Sequence, residues 1–340
     1  MRTVVIGGAG FIGSHLAEYL LDAGDDVTVL DDLSLGRLDN LAACRAHRAF
    51  TFHEGSTLDA AEVGRVISGK DRVFHLATAG GARRFPDRPL MGLRSTLHGT
   101  ETVLDACLDA GAELIVVSSG DIYGKNASGR LSEDADRILG SPLTPRWAGV
   151  DAEALEEAFA QAYWREHGLK VSMVRLFDTV GPRRTSRSGG VVRTLVKQAL
   201  RGDALTVHGD GRQTRCFSYV GDVVPAIVRV AEQPAARGLA INLGGTQDVS
   251  IIELAERTIR LLGSRSEISF IPYDEAYGPG HEDVRRRSPD IALASRLIRF
   301  RPTTTIDTII LKVAKDILSS ASNGVHAERV SHGVQAEAVH

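Results

Sequence analysis

The stretch Thr3-Val4-Val5-Ile6-Gly7-Gly8-Ala9-Gly10-Phe11-Ile12-Gly13-Ser14-His15-Leu16 decides the fold. A β-branched run enters glycines at 7, 10 and 13 and leaves as an apolar helical pattern. Gly7 permits a tight turn, Gly10 lets the backbone approach a pyrophosphate, and Gly13 lets the next helix pack on the strand. The diphosphate then meets the positive end of that helix, beside Phe11 and Ile12. Val27-Thr28-Val29-Leu30 reads as a second strand. It ends at Asp31, about 20 residues past the glycines, where a carboxylate takes the adenosine ribose hydroxyls and repels a 2′-phosphate. The expected cofactor is therefore NAD rather than NADP. The bland alternative is a flavodoxin-like turn without a ligand.

The chain has 340 residues, 43% of them hydrophobic, and a formal net charge of -3. That length suits one large α/β unit with an appended lobe. The balanced charge argues against nucleic acid or a polybasic membrane surface as partner. Cys44, Cys107 and Cys216 are scattered, so neither a disulfide framework nor a metal site is expected. No apolar run reaches membrane-spanning length, and the glycine-broken first stretch lacks a cleavable-signal layout. A cytoplasmic location is the expectation.

Working outward, strand-like runs at Val4–Ile6, Val27–Leu30, Phe50–Phe52, Val73–Leu76, Leu114–Val117 and Val171–Val174 alternate with helical patterns, notably 90–110 and 146–168. This alternation predicts a Rossmann-type, doubly wound parallel α/β sheet with helices on both faces. Ligands on such sheets bind beyond the carboxyl ends of the strands, where strand order reverses. Segments 31–34, 77–84 and 118–124 all follow strand ends and should converge on one cleft. The nucleotide-binding unit is expected over 1–178 plus about 219–245. A smaller, interleaved α/β substrate lobe takes about 179–218 and 246–318, and 319–340 reads as a disordered tail.

At this point the chain resembles the extended short-chain dehydrogenase/reductase superfamily, specifically the NAD-dependent epimerase/dehydratase family. Within it the chain is similar to nucleotide-sugar 4-epimerases and UDP-glucuronate decarboxylases. The matching segments include Gly7–Gly13, Leu30-Asp31-Asp32-Leu33-Ser34, Phe74-His75-Leu76-Ala77, Ser118-Ser119-Gly120-Asp121-Ile122-Tyr123-Gly124, Arg175–Arg183, Gly209–Val220, Asn242-Leu243-Gly244-Gly245 and Arg285–Asp290. The resemblance implies a bound NAD that oxidises C4 of a nucleoside-diphosphate sugar and later returns the hydride. It places Asp32, Ser34, Ser56, Leu76 and Ala77 on the cofactor, with Ser56 where the family has Asp and Thr96 where it has Asn. Ser119 matches the hydroxyl that bonds the C4 oxygen, and Asp121 stands where dehydratases and decarboxylases carry Glu. Arg83, Arg84, Tyr123, Asp178, Arg215 and Arg285 fall at substrate positions. Asp178 replaces an Asn and is expected to pair with Arg183 or Arg184. Of Arg285–Arg287, one is expected to face phosphate and the others water. The resemblance also implies a homodimer through helices 90–110 and 146–168, with Leu97, Val103, Leu104 and Cys107 on one apolar face and Leu155, Phe159 and Tyr163 on the other.

One departure dominates. Gly149-Val150-Asp151-Ala152-Glu153 stands where the family's Tyr-x-x-x-Lys is expected. The phenol that accepts the C4 proton and the amine that lowers its pKa are both replaced, and Gly149 leaves a space about one side chain wide. Losing a positioned base costs ~10²–10⁴-fold in rate. Three readings stay open. A relocated base acts, with Asp121, Glu153, Asp151 and Tyr123 as candidates. Or the substrate already carries a carbonyl. Or the chain binds NAD and a sugar nucleotide without turnover. For Glu153 the bland reading is a solvated helix face, since Glu156 and Glu157 follow it. The preferred expectation is epimerisation at C4 or beside a 4-keto centre, with dehydration or decarboxylation as the alternative.

Overall fold

The computed structural model describes residues 1–77, 89–184, 190–277 and 284–320. Arg83 and Arg84, and the tail from 321, lie outside the described residues. The strands run β1 (Arg2–Ile6), β2 (Asp26–Asp31), β3 (Phe50–Glu54), β4 (Arg72–His75), β5 (Glu113–Ser119), β6 (Val171–Leu176), β7 (Thr179–Val180), β8 (Leu205–His208), β9 (Thr214–Arg215), β10 (Ser218–Tyr219), β11 (Ala240–Leu243), β12 (Val249–Ser250), β13 (Ile268–Ile271) and β14 (Arg286–Arg287). The helices used below are α1 (Phe11–Asp22), α2 (Ala42–Arg45), α3 (Ala60–Ile67), α4 (Pro89–Ala110), α5 (Pro145–His167), α6 (Val191–Arg201), α7 (Val220–Ala231) and α8 (Ile251–Leu262).

Seven strands form one parallel sheet in the order β11-β6-β5-β4-β1-β2-β3. Alternation along β1 divides the core: Val5 joins the cluster under α1 and α7, while Val4 and Ile6 join the cluster under α3, α4 and α5. Burial of both sheet faces is what the unbroken apolar strands require. Strand order reverses between β1 and β4, so the chain leaves these neighbours in opposite lateral directions and opens a crevice at their carboxyl ends.

A third cluster joins Leu195 and Val196 of α6, Leu205 of β8, Leu254 and Ala255 of α8, and Ile309 and Ile310 of a helix over 306–320. That helix runs through Ser319 and Ser320, two positions expected in the tail. The stripe assigned to a subunit contact also differs from expectation. Val103, Leu104 and Cys107 are fully buried within this chain, against β4 and β5, because α4 lies flat on its own sheet.

Candidate active site

A crevice of about 370 Å³ opens at the reversal point. That size lies within the range of small-molecule sites. Its first wall is backbone. Gly7 has φ +79°, and a Cβ on it would lie 3.0 Å from the amide nitrogen of Ala77, so the turn after β1 and the end of β4 touch. A Cβ on Gly13 would fall 2.3 Å from the Gly7 carbonyl oxygen, which holds α1 against the turn. Gly10 caps α1 with extended backbone and no side-chain hydrogen bond, leaving the helix terminus to a ligand.

Asp31 ends β2 inside the crevice. Its Oδ2 accepts from Ala9 N at 2.9 Å and its Oδ1 from Leu33 N at 2.8 Å, which aims the carboxylate and leaves each oxygen a lone pair for a ribose hydroxyl. Burial raises its pKa, and these two N–H groups oppose the rise. Phe11, Ile12, Asp32, Ser34, Ser56, Leu76 and Ala77 also line the crevice. The glycine cradle, the open helix terminus and the fixed carboxylate fit an adenine dinucleotide.

The opposite end is built from side chains. Ser119 closes β5, and its hydroxyl accepts from Asp121 N at 3.1 Å while donating to Glu153 Oε2 at 2.6 Å. Glu153 reaches in from α5, one turn past the buried Gly149. Burial pushes the Glu153 carboxyl up to about 7, helped by negative Asp121 and Glu157 and opposed by the Ser119 hydrogen bond and Arg287. Arg287 forms an ion pair with Asp121 and is only 12% exposed. Asp178, at φ +29°, lines the same end, and its Oδ2 has no hydrogen-bond partner among the described residues. Arg184 faces the negative charges of Asp178 and Asp121, donates to the Thr179 carbonyl and lies 5.7 Å over the Phe11 ring. Arg183 turns away to Glu18 at 2.6 Å, so Arg184 is the arginine facing Asp178.

Several placements differ from the sequence expectation. Tyr123 is 1% exposed and sits in the core rather than on the crevice wall. Its hydroxyl donates to Asn242 Oδ1 at 2.8 Å and accepts from Arg175 Nη1 at 2.7 Å, which uses it structurally and removes it both as a substrate contact and as a relocated base. Arg215 donates to the carbonyls of Thr214 and Val284, and exposed Arg285 pairs with Asp210 at 2.8 Å; neither belongs to the crevice lining. Asp151 pairs with Arg137 at 3.3 Å, also away from it. Glu156 and Glu157, taken as signs of a solvated face, are 0% and 7% exposed. Glu157 is gripped through both oxygens by Arg175, at 2.7–3.1 Å. The sequence signal for Arg287 was period-two alternation: β14 sends Arg286 to Asp248 and its neighbour into the crevice. Among the described residues no group of His, Cys, Asp or Glu could hold a metal, and no helix is long and apolar enough to cross a membrane.

Known proteins resemble this chain in sequence and fold. UDP-N-acetyl-alpha-D-glucosaminuronate decarboxylase of Bacillus cytotoxicus is 34% identical over 309 residues, covering 89% of this chain and 94% of its own length. UDP-glucuronic acid decarboxylase 1 of Xenopus tropicalis is 31% identical over 306 residues, covering 90% of this chain and 69% of its own. The structure of UDP-glucuronic acid 4-epimerase from Bacillus cereus, in complex with UDP-glucuronic acid and NAD, superposes with a TM-score of 0.83 at 27% identity, covering 94% of this chain and 99% of that one. Thermotoga maritima UDP-glucose 4-epimerase, solved with UDP-glucose, gives 0.85 at 26% identity, over 94% and 100% of the two chains. The family model whose match starts in β1 and ends just past β11, at residues 3–244, agrees with the crevice those strands build: this chain belongs to the NAD dependent epimerase/dehydratase family.

Proposed function

We propose that the chain decarboxylates a nucleoside-diphosphate hexuronate, with Glu153 acting through Ser119 as the proton acceptor. The observation that carries this reading is the 2.6 Å hydrogen bond from Ser119 to Glu153 at the reacting end of the crevice. A solvated glutamate is too weak a base for a sugar hydroxyl. One pushed up to about 7 is half ionised near neutral pH, where a general base works best. By the resemblance, Glu153 stands in the place of the family's lysine and takes over the phenol's task. Ser119 can pass its hydroxyl proton to Glu153 as it receives one from the C4 hydroxyl.

Bound NAD supplies a hydride acceptor at C4 and gives the hydride back at the end. The Gly7–Gly13 turn would hold its diphosphate and Asp31 its ribose. Once C4 is a ketone, a carboxylate on C5 belongs to a β-keto acid. Its C–C bond breaks to release CO2, the electron pair passes into the ketone, and C5 takes up a proton. Arg287 keeps a positive charge at this end, and Asp121 already satisfies it. A substrate carboxylate seated there meets a neutralised cation and the negative Asp121, which disfavours its retention. The uronate decarboxylases at 31–34% identity support the same reading.

C4 epimerisation is a second reading, favoured by the superposition on UDP-glucuronic acid 4-epimerase. A homodimer through α4 and α5 belongs to the proposal too, since Leu90, Met91 and Leu155 remain exposed there on the single chain. The test is incubation with NAD and UDP-glucuronic acid, following CO2 and the product sugar by NMR. Stoichiometric CO2 with a pentose product is the expected result. An inverted C4 with the carboxylate retained selects epimerisation. NAD binding without turnover rejects both.

A further inference from the structure

Behind the Ser119–Glu153 pair lies a second polar group that the proposed chemistry leaves unused. Glu156, one turn along α5 from Glu153, is 0% exposed, as is the side chain of His75 at the end of β4. Thr100 of α4 stands between them. Its hydroxyl donates to Glu156 Oε1 at 2.8 Å, and His75 Nε2 lies 3.1 Å from the same hydroxyl and 3.4 Å from Glu156 Oε1. Thr100 has one proton to give, and Glu156 receives it, so the hydrogen on the His75 contact belongs to Nε2. The chain of donors runs one way, from imidazole to hydroxyl to carboxyl.

We propose that Glu156 is a positioning residue for Glu153: held by Thr100 and His75 as a neutral carboxylic acid behind the base, it leaves Glu153 to carry the mobile proton of the crevice. This rests on the reading of Glu153 as the base.

The contrast with Glu157 carries the argument. Glu157 is buried and receives the fork of the Arg175 guanidinium on both oxygens. Among the described residues Glu156 accepts one hydrogen bond, from an uncharged hydroxyl, and its Oε2 has no partner. A buried carboxylate with one neutral donor and a bare oxygen is strongly disfavoured, whereas a protonated acid is tolerated. An imidazolium on His75 would supply a countercharge, but its Nδ1, without a partner among the described residues, would then be a stranded donor. Neutral imidazole with neutral acid also leaves two orphans, the Nδ1 acceptor and the acid's O–H on Oε2, but neither carries a charge, and burying an unpaired charge costs more.

The groups facing the two acids agree. Glu156 meets Thr100 and His75 on neighbouring elements and Glu153 and Glu157 on its own helix; among the described residues no positive charge perturbs it. Glu153 meets Ser119, Asp121, Glu157 and Arg287. Burial pushes Glu156 up to about 8 and holds His75 down to about 4. An ionised Glu156 one turn away would raise Glu153 further and leave it protonated when it must accept.

Two measurements test this on the full chain. Infrared spectra of E153Q, minus those of E153Q/E156Q, should show at pH 7 the C=O stretch of a protonated buried carboxyl. This readout needs no substrate, so it survives failure of the decarboxylase reading. No such band at pH 7 overturns the proposal. If E156Q fails to fold, E153Q alone serves: its buried-acid band should persist at pH 7 and fade at higher pH, earlier than in the parent because the Glu153 charge that raises Glu156 has gone. A band already absent at pH 7 overturns the proposal. The second measurement is the acid limb of turnover on UDP-glucuronic acid in E156Q. An unmoved limb is expected, because glutamine copies the neutral acid. A limb displaced to lower pH by about one unit would show that Glu156 is charged while Glu153 works, and would refute the idea.

Discussion

The two ends of the crevice are made differently. The end by β1 and β2 is backbone: a glycine turn, a bare helix terminus, and one carboxylate fixed by main-chain N–H groups. The end by β5 and α5 is side chains from four distant parts of the sequence: Ser119 and Asp121, Glu153, Asp178 with Arg184, and Arg287. A backbone site tolerates few changes, because each glycine contact is steric. A side-chain site can exchange one charge arrangement for another while the fold stays in place. The chain accordingly has a dinucleotide cradle at one end and a group of interacting side chains, Glu153 among them, at the other.

Glu153→Gln should break the comparison at the reacting end and give the largest effect. Turnover should fall about 10²–10⁴-fold, as for loss of a positioned base. NAD affinity should stay close to that of the unaltered chain, because Glu153 stands away from the glycine cradle; NAD titration by fluorescence checks this. In the unaltered chain, activity should decline as pH falls through about 7, where Glu153 becomes protonated.

The converse at the cradle is Gly13→Val. A Cβ there meets the Gly7 carbonyl oxygen at 2.3 Å and backbone of Gly8 at 2.7 Å, so the turn must move. Overpacking of this kind costs about 1–3 kcal/mol of stability. NAD binding should be lost together with activity, whereas Glu153→Gln loses activity alone. Calorimetry of the apo chain with a binding titration separates the two patterns.

How far each end could be read from the sequence follows from the same division. The cradle is local: strand, glycines, helix, second strand and Asp31 fall within residues 3–31, and their spacing carries the geometry. The strand positions were legible because both-sided burial makes strands apolar runs. Residues near the other end depend on partners far along the chain. Tyr123 looked available beside Ser119, yet its hydroxyl is taken by Asn242, on the outermost strand. Glu156 and Glu157 looked like a wet surface because three acids lie within five residues of α5. Only the packing of that helix on α4 and on β4 to β6 shows that Thr100, His75 and Arg175 await them. For Arg287, choosing among three arginines needs the pairing of β14 with β9.

Those buried acids tilt the pH dependence of stability. Glu156 is raised from 4.5 to about 8 in the fold. Between these values the folded chain binds a proton that the unfolded chain has lost, so its stabilising share is complete below 4.5 and fades as pH rises to about 8. At neutral pH Glu156→Gln removes that loss. The variant should be more stable than the parent by on the order of 4 kcal/mol at pH 8, with little difference near pH 4.5, as denaturant titrations at the two values would show. Equal stability differences at both would mean that Glu156 does not carry its proton in the fold.

The finest discrimination lies at Asp31, the buried carboxylate of the backbone end. Asp31→Asn keeps the size and the two main-chain hydrogen bonds to its oxygens can be only half retained, since the amide offers one carbonyl acceptor. NAD should bind about tenfold more weakly, the loss of roughly one charge-assisted hydrogen bond. NADP should bind better than to the parent, because the charge that repels a 2′-phosphate has gone. Competition between the two dinucleotides measures the ratio directly. An unchanged ratio would place the ribose away from β2 and make the glycine turn alone responsible for holding the cofactor.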